Sequence, residues 1–175
     1  MSLKRYIRTV PDYPIKGVNF YDMNSLFASD IWSSVVDDIA TTIIDTYEYV
    51  PTHIAGIESR GFVIGAAVAH HLDVPFVMIR KKGAKYPGKL LEESYELEYG
   101  TDTLTLQEGI LGHTSRVVIA DDLVATGGSM LATKRLIEQT GARVMCGVTV
   151  VNLKYLNQAD LSEVEIISLL EIEND

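Results

Sequence analysis

The stretch Val117-Val118-Ile119-Ala120-Asp121-Asp122-Leu123-Val124-Ala125-Thr126-Gly127-Gly128-Ser129-Met130 decides how this chain is read. An apolar run of strand character ends in two carboxylates, and a loop of small residues then opens a helix. Gly127 and Gly128 let the backbone approach a ligand closely. Thr126 and Ser129 add hydroxyl donors, and the helix start offers unpaired N–H groups at the positive end of its dipole. Such a loop suits a phosphate monoester. Asp121 and Asp122 would repel that anion, and suit instead the vicinal hydroxyls of a sugar or a hydrated metal ion. Taken singly, the Asp pair also reads as a solvated strand end, and Thr-Gly-Gly as a tight turn. In this order, after a buried strand and before a helix, they read as a site for a phosphorylated sugar. Two other phosphate loops are absent: no G-x-x-x-x-G-K-[ST] occurs, and no G-x-G-x-x-G follows a strand.

Outward from this segment, strands and helices alternate. His53 to Ile57 and Val74 to Ile79 read as buried strands around an Ala-rich helix at Gly61 to His71. Downstream come a helix from Gly128 to Gln139, a strand from Arg143 to Val151 and a last strand from Val164 to Leu170. Upstream, a helix beginning at Ser29 or Asp30 puts Ile31, Val35, Ile39 and Ile43 on one stripe. Tyr95, Leu97 and Tyr99 alternate with glutamates, and Leu104 and Leu106 with threonines; Gly100-Thr101-Asp102 between them predicts a hairpin. The order predicts an α/β fold with a central parallel sheet covered by helices, whose ligand lies beyond the carboxyl ends of the strands. The first 28 residues, with Pro11, Pro14 and Gly17 among aromatics, read as a turn-rich lead-in.

The 175 residues suit one domain, 1–175, and 47% hydrophobic with 22% charged residues excludes a disordered chain. Fifteen Lys and Arg against 24 Asp and Glu give a net charge of −9. That balance argues against nucleic-acid binding through the whole surface and against docking on an anionic membrane. Cys146 stands in an apolar run and reads as a buried small residue, and the four histidines show no metal spacing. Trp32 reads as a packing residue. Without a signal segment or a run of ~20 apolar residues, the expected location is the cytoplasm. The charge is uneven, however. Arg80, Lys81, Lys82, Lys85 and Lys89 put five of the fifteen basic residues inside ten positions. This island reads either as a solvated loop or as a local site for a small, strongly anionic ligand.

The segment 117–130 resembles the phosphoribosyl pyrophosphate signature of type I phosphoribosyltransferases, and its wording is most similar to the adenine phosphoribosyltransferases. The resemblance runs from Pro11 to about Leu153. Ile57-Glu58-Ser59-Arg60-Gly61-Phe62 is similar to the family's pyrophosphate loop, and Ser94 to Gly100 to the catalytic-loop segment of the adenine enzymes. Pro11-Asp12-Tyr13-Pro14 with Gly17 to Asp22 resembles their base-binding hood. The resemblance implies the type I phosphoribosyltransferase fold with a small N-terminal hood over 1–28 and a flexible lid and β-hairpin over 80–108. It implies transfer of the phosphoribosyl group to N9 of adenine, giving AMP and pyrophosphate, with Mg²⁺ held mainly by substrate oxygens rather than by protein ligands. It also implies a homodimer. The alternatives are a transferase for a 6-oxopurine and a regulator that senses phosphoribosyl pyrophosphate on the same fold.

By the same resemblance, Ala125, Thr126, Gly127, Gly128 and Ser129 hold the 5-phosphate, and Asp121 and Asp122 the ribose hydroxyls. Ser59, Arg60, Lys81 and Lys85 face the pyrophosphate; a guanidinium fork takes two phosphate oxygens at once. A non-proline cis peptide is expected at Glu58–Ser59. Like charges in the island should keep the lid open until the anion arrives. Lys82 to Gly88 is one residue longer than the commoner family form because of Ala84. Glu98 is the candidate for handling the proton on the base. Asn19 and Tyr21 would read adenine through their backbone, with Phe20 stacked on the ring; Tyr21 stands where the family usually has arginine.

Overall fold

The computed structural model describes residues 3–97, 100–157 and 159–174. Two short strands, β1 (Arg8–Val10) and β2 (Phe20–Asp22), pair antiparallel and form the hood. A single turn, α1 (Asn24–Phe27), leads to α2 (Trp32–Thr46). The core then follows as β3 (His53–Ile57), α3 (Arg60–His71), β4 (Phe76–Lys81), β5 (Leu90–Glu96), β6 (Thr101–Gln107), β7 (Arg116–Val124), α4 (Gly128–Glu138), β8 (Arg143–Leu153) and β9 (Ile166–Ile172). Seven strands make one sheet in the order β5-β6-β4-β3-β7-β8-β9.

The predicted parallel sheet is only part of this. β4, β3, β7, β8 and β9 are parallel, as buried apolar strands joined by crossovers must be. The hairpin β5–β6 extends this sheet. Its second strand pairs antiparallel with β4 through Arg80↔Thr105 and Lys81↔Leu104, so the sheet is mixed. The first long helix starts at Trp32, past the predicted Ser29 or Asp30, and buries Val35, Ile39 and Ile43 as its stripe requires. Trp32 packs edge-on against Phe27 at 5.1 Å, and Cys146 is fully buried. Among the described residues no helix is long and apolar enough to cross a membrane.

β7 is the axis of the molecule. Val117, Val118, Ile119 and Ala120 are completely buried between apolar clusters on the two faces of the sheet. The strand also runs further than its apolar residues suggest: Asp121 still faces Thr149, and Val124 faces Asn152. Pairing with the long β8 carries the carboxylates inside the strand rather than beyond its end. Helix α3 lies so close to β7 that a Cβ on Gly61 would stand 2.6 Å from the Ala120 carbonyl oxygen. No side chain fits there. Gly61→Ala should therefore push the helix start off the strand and cost about 1–3 kcal/mol, read as a lower urea midpoint at unchanged slope.

Candidate functional site

Four segments meet at the carboxyl ends of β3, β4 and β7. The chain leaves β7 at Val124 and turns through Gly127, whose φ of 87° is left-handed and unsuited to a side chain. A Cβ on Gly127 would also stand 2.8 Å from Leu161. The Thr126 carbonyl accepts the Ala159 N–H at 2.9 Å, so the segment after β8 braces this turn. α4 begins at Gly128, and its first backbone bond is Leu131 N–H to the Gly127 carbonyl. The N–H groups ahead of Leu131 have no acceptor within the helix and converge on the turn. Ala125 to Ser129 thus form a small-residue turn whose N–H groups are open to an acceptor from outside the helix. A cleft of about 510 Å³ opens between this turn and the end of β5, with Thr126, Gly128, Tyr95 and Glu96 in its wall.

Asp121 and Asp122 sit one turn of chain earlier. Asp121 Oδ1 accepts the Asp122 N–H at 2.9 Å. Asp122 is 2% exposed, and Arg60 Nη1 approaches its Oδ2 at 3.0 Å. That approach is not aligned as a hydrogen bond, so Oδ2 keeps an unfilled acceptor. Burial raises the pKa of both groups; the neighbouring Asp122 charge adds to it for Asp121, whereas Arg60 opposes it for Asp122. The pair is thus costly to ionise in the empty protein.

Arg60 connects the acidic pair to the hood. Its guanidinium lies 5.8 Å from the Phe20 ring centroid, within cation–π range, and Phe20 packs edge-on against Tyr13 at 5.1 Å. The Glu58–Ser59 peptide before Arg60 is cis, as expected. In β2, Phe20 is half-buried while Tyr21 turns inward and is 8% exposed. The Tyr21 side chain therefore belongs to the core, and does not project from the hood.

The basic island corrects one expectation. Like charges were expected to hold the segment apart, yet most of its cations have a carboxylate partner. Glu58 binds Arg80 through Nε at 3.3 Å and Nη2 at 3.2 Å, and also accepts the Lys81 N–H at 2.8 Å. The Arg80 hydrogen bond, ahead of the Lys81 contact, holds the Glu58 carboxyl below the usual range. Lys81 meets Asp102 at 3.2 Å, Lys82 meets Glu92 at 2.7 Å, and Lys89 meets Glu108 at 3.6 Å. Lys85 is exposed. Glu98 lies outside the described residues; its neighbour Leu97 donates its N–H to the Gly100 carbonyl at 2.9 Å. Among the described residues no cluster of three His, Cys, Asp or Glu side chains could hold a metal ion. The unfilled Asp122 oxygen is an acceptor suited either to a hydroxyl or to a cation that a ligand's own oxygens carry. The sequence reading missed Glu58, Tyr95 and Asp102 as parts of this network.

The Phosphoribosyl transferase domain profile matches residues 23–173. The chain is 43% identical over 171 residues to an adenine phosphoribosyltransferase of Rhodospirillum rubrum, covering 97% of this chain and 98% of that one. Its backbone is similar to that of adenine phosphoribosyltransferase from Thermoanaerobacter pseudethanolicus, with a TM-score of 0.89, 36% identity and coverage of 97% and 98%. The Saccharomyces cerevisiae enzyme, solved with adenine and an imino-altritol bisphosphate, matches with a TM-score of 0.90 and 33% identity, covering 96% of each chain.

The Asp pair yields a pH prediction. A carboxyl whose pKa is raised by folding favours the native state at low pH, and that benefit is lost as pH rises through the native pKa. Asp121→Asn removes the burden of ionising the buried pair. The variant should melt at a higher temperature than wild type at pH 7, with the difference shrinking toward pH ~4, where an ordinary carboxylate protonates. Thermal melts across that range measure it.

Proposed function

The chain belongs to the adenine phosphoribosyltransferases of the type I phosphoribosyltransferase family, and from that premise we propose how its own residues carry the transfer. The reaction joins N9 of adenine to the ribose 5-phosphate of phosphoribosyl pyrophosphate and releases pyrophosphate, giving AMP in purine salvage. Its transition state has oxocarbenium character, so the protein's work is to hold the sugar, receive charge on the leaving group and manage one proton.

One observation supports the residue assignment above the rest: the glycine turn, the buried carboxylate pair, Arg60 and Phe20 follow one another in space. That sequence matches phosphate, ribose, pyrophosphate and base in order. The N–H groups of Ala125 to Ser129, with the Thr126 and Ser129 hydroxyls, bind the 5-phosphate. Asp121 and Asp122 accept hydrogen bonds from the ribose hydroxyls, which fill the lone pair left open on Asp122. Ser59, Arg60, Lys81 and Lys85 receive the pyrophosphate. Mg²⁺ bound to pyrophosphate oxygens would neutralise charge on the leaving group. Phe20 covers the base, and the backbone of Asn19 and Tyr21 reads its edge. Glu98 is assigned the proton on the base, on its match to the catalytic-loop segment. The protein works as a cytoplasmic homodimer in this reading.

Turnover of phosphoribosyl pyrophosphate and Mg²⁺ with adenine, hypoxanthine and guanine tests the assignment. Adenine should be the base converted, and turnover should stop when EDTA removes the ion. Asp122→Ala should lower kcat/KM about 10²-fold through misplacement of the ribose. Glu98→Ala should lower kcat by about 10²-fold or more. Near-normal activity in both variants would overturn the residue assignment while leaving the reaction in place; turnover of hypoxanthine alone would overturn the choice of base.

A further inference from the structure

Most cations assigned to the pyrophosphate side or beside it already hold carboxylate partners, so a polyphosphate that draws on one of these has to displace its carboxylate. Arg60 is opposed by Asp122, which has its own work on the ribose. Arg80 is fixed by Glu58 through two side-chain contacts, while the same carboxylate also takes a backbone N–H. Asp102 is different, because no part of the transfer uses it. It is the second residue of β6, directly opposite Tyr95. Its Oδ2 meets the Lys81 ammonium at 3.2 Å and accepts the Tyr95 hydroxyl at 3.3 Å; its Oδ1 accepts the Thr103 N–H at 2.8 Å.

Two features make this pair easy to part. The Lys81 side chain is 54% exposed, and an exposed ion pair contributes little. When the ammonium leaves, Asp102 keeps the Tyr95 hydroxyl and the Thr103 N–H, so the carboxylate is not stranded without donors. We propose that Asp102 is an internal competitor for Lys81: it holds the ammonium in the empty site and yields it to the pyrophosphate group, which limits how tightly that group is retained. The proposal rests on the assignment of Lys81 to pyrophosphate. Asp102 is then a positioning residue that acts through Lys81, and its effect is opposite in sign to that of a binding residue. Removing its charge tightens the ligand.

Titration calorimetry with magnesium pyrophosphate, on the full chain, tests this with Asp102→Asn, Lys81→Met and the double variant. Asparagine keeps an oxygen for Tyr95 and loses the charge that holds Lys81. Asp102→Asn should bind roughly two- to fivefold tighter than wild type, the range an exposed ion pair contributes. Lys81→Met should bind more weakly, and adding Asp102→Asn to it should change the affinity by less than about twofold, because no ammonium is left to release. Asp102→Ser, smaller and also uncharged, should shift affinity in the same direction as Asp102→Asn, which separates loss of charge from any local distortion. Weaker or unchanged binding in Asp102→Asn, with Lys81→Met impaired, overturns the proposal alone. An equal gain from Asp102→Asn in both backgrounds also overturns it, since the effect would then be general repulsion. Wild-type affinity in Lys81→Met removes the Lys81 assignment and the proposal together.

Discussion

Asp122 is a carboxylate held where a carboxylate is expensive to ionise. It lies on the central strand, 2% exposed, with Arg60 across from it at 3.0 Å and one oxygen short of a hydrogen bond. A buried charge of this kind persists only with a partner, so Arg60 must be delivered to within reach. Delivery depends on the start of α3 touching β7, which in turn depends on the missing side chain at Gly61. The guanidinium then carries Phe20 on its far side, and with it the hood. Sheet, helix start and hood are thus joined through one unsatisfied ion pair.

The same logic extends across the basic segment. A cluster of cations on a protein of charge −9 is held by glutamates and aspartates of β5, β6 and the loop after β3, not by distance between like charges. Each pair is modest, since most of these side chains are half-exposed. Collectively they neutralise four of the five basic residues of the island. Binding a polyphosphate is then a change of partners rather than the relief of repulsion, and its free energy is the difference between two sets of ion pairs.

Much of this was legible in the residues. The order of strand, acidic pair, glycine turn and helix at 117–130 is local, and local order survives folding; the turn at 125–129 and the helix start at Gly128 formed where expected. So did the cis peptide at Glu58–Ser59 and the hairpin around Gly100. What could not be read depends on neighbours distant in sequence. The extension of β7 through Asp121 and Asp122 comes from pairing with β8. The mixed sheet comes from β6 joining β4 instead of folding away. That the Tyr21 side chain enters the core follows from the alternation of β2, which the turn-rich lead-in did not announce. Glu58, Tyr95 and Asp102 gave only the signal of acidic or aromatic residues near a loop, and their partners lie on other strands.

The mixed sheet places β5 at one margin, where its outer backbone N–H and carbonyl groups meet no further strand of the sheet. Such a margin is a template on which any extended chain can pair and from which aggregates grow. β5 carries three glutamates in its seven residues, Glu92, Glu93 and Glu96. Glu92 holds Lys82 and Glu93 accepts from Gln139, so the margin is lined by charged and polar groups already in use. Charged side chains along a margin are one of the ways a sheet is kept from pairing onward.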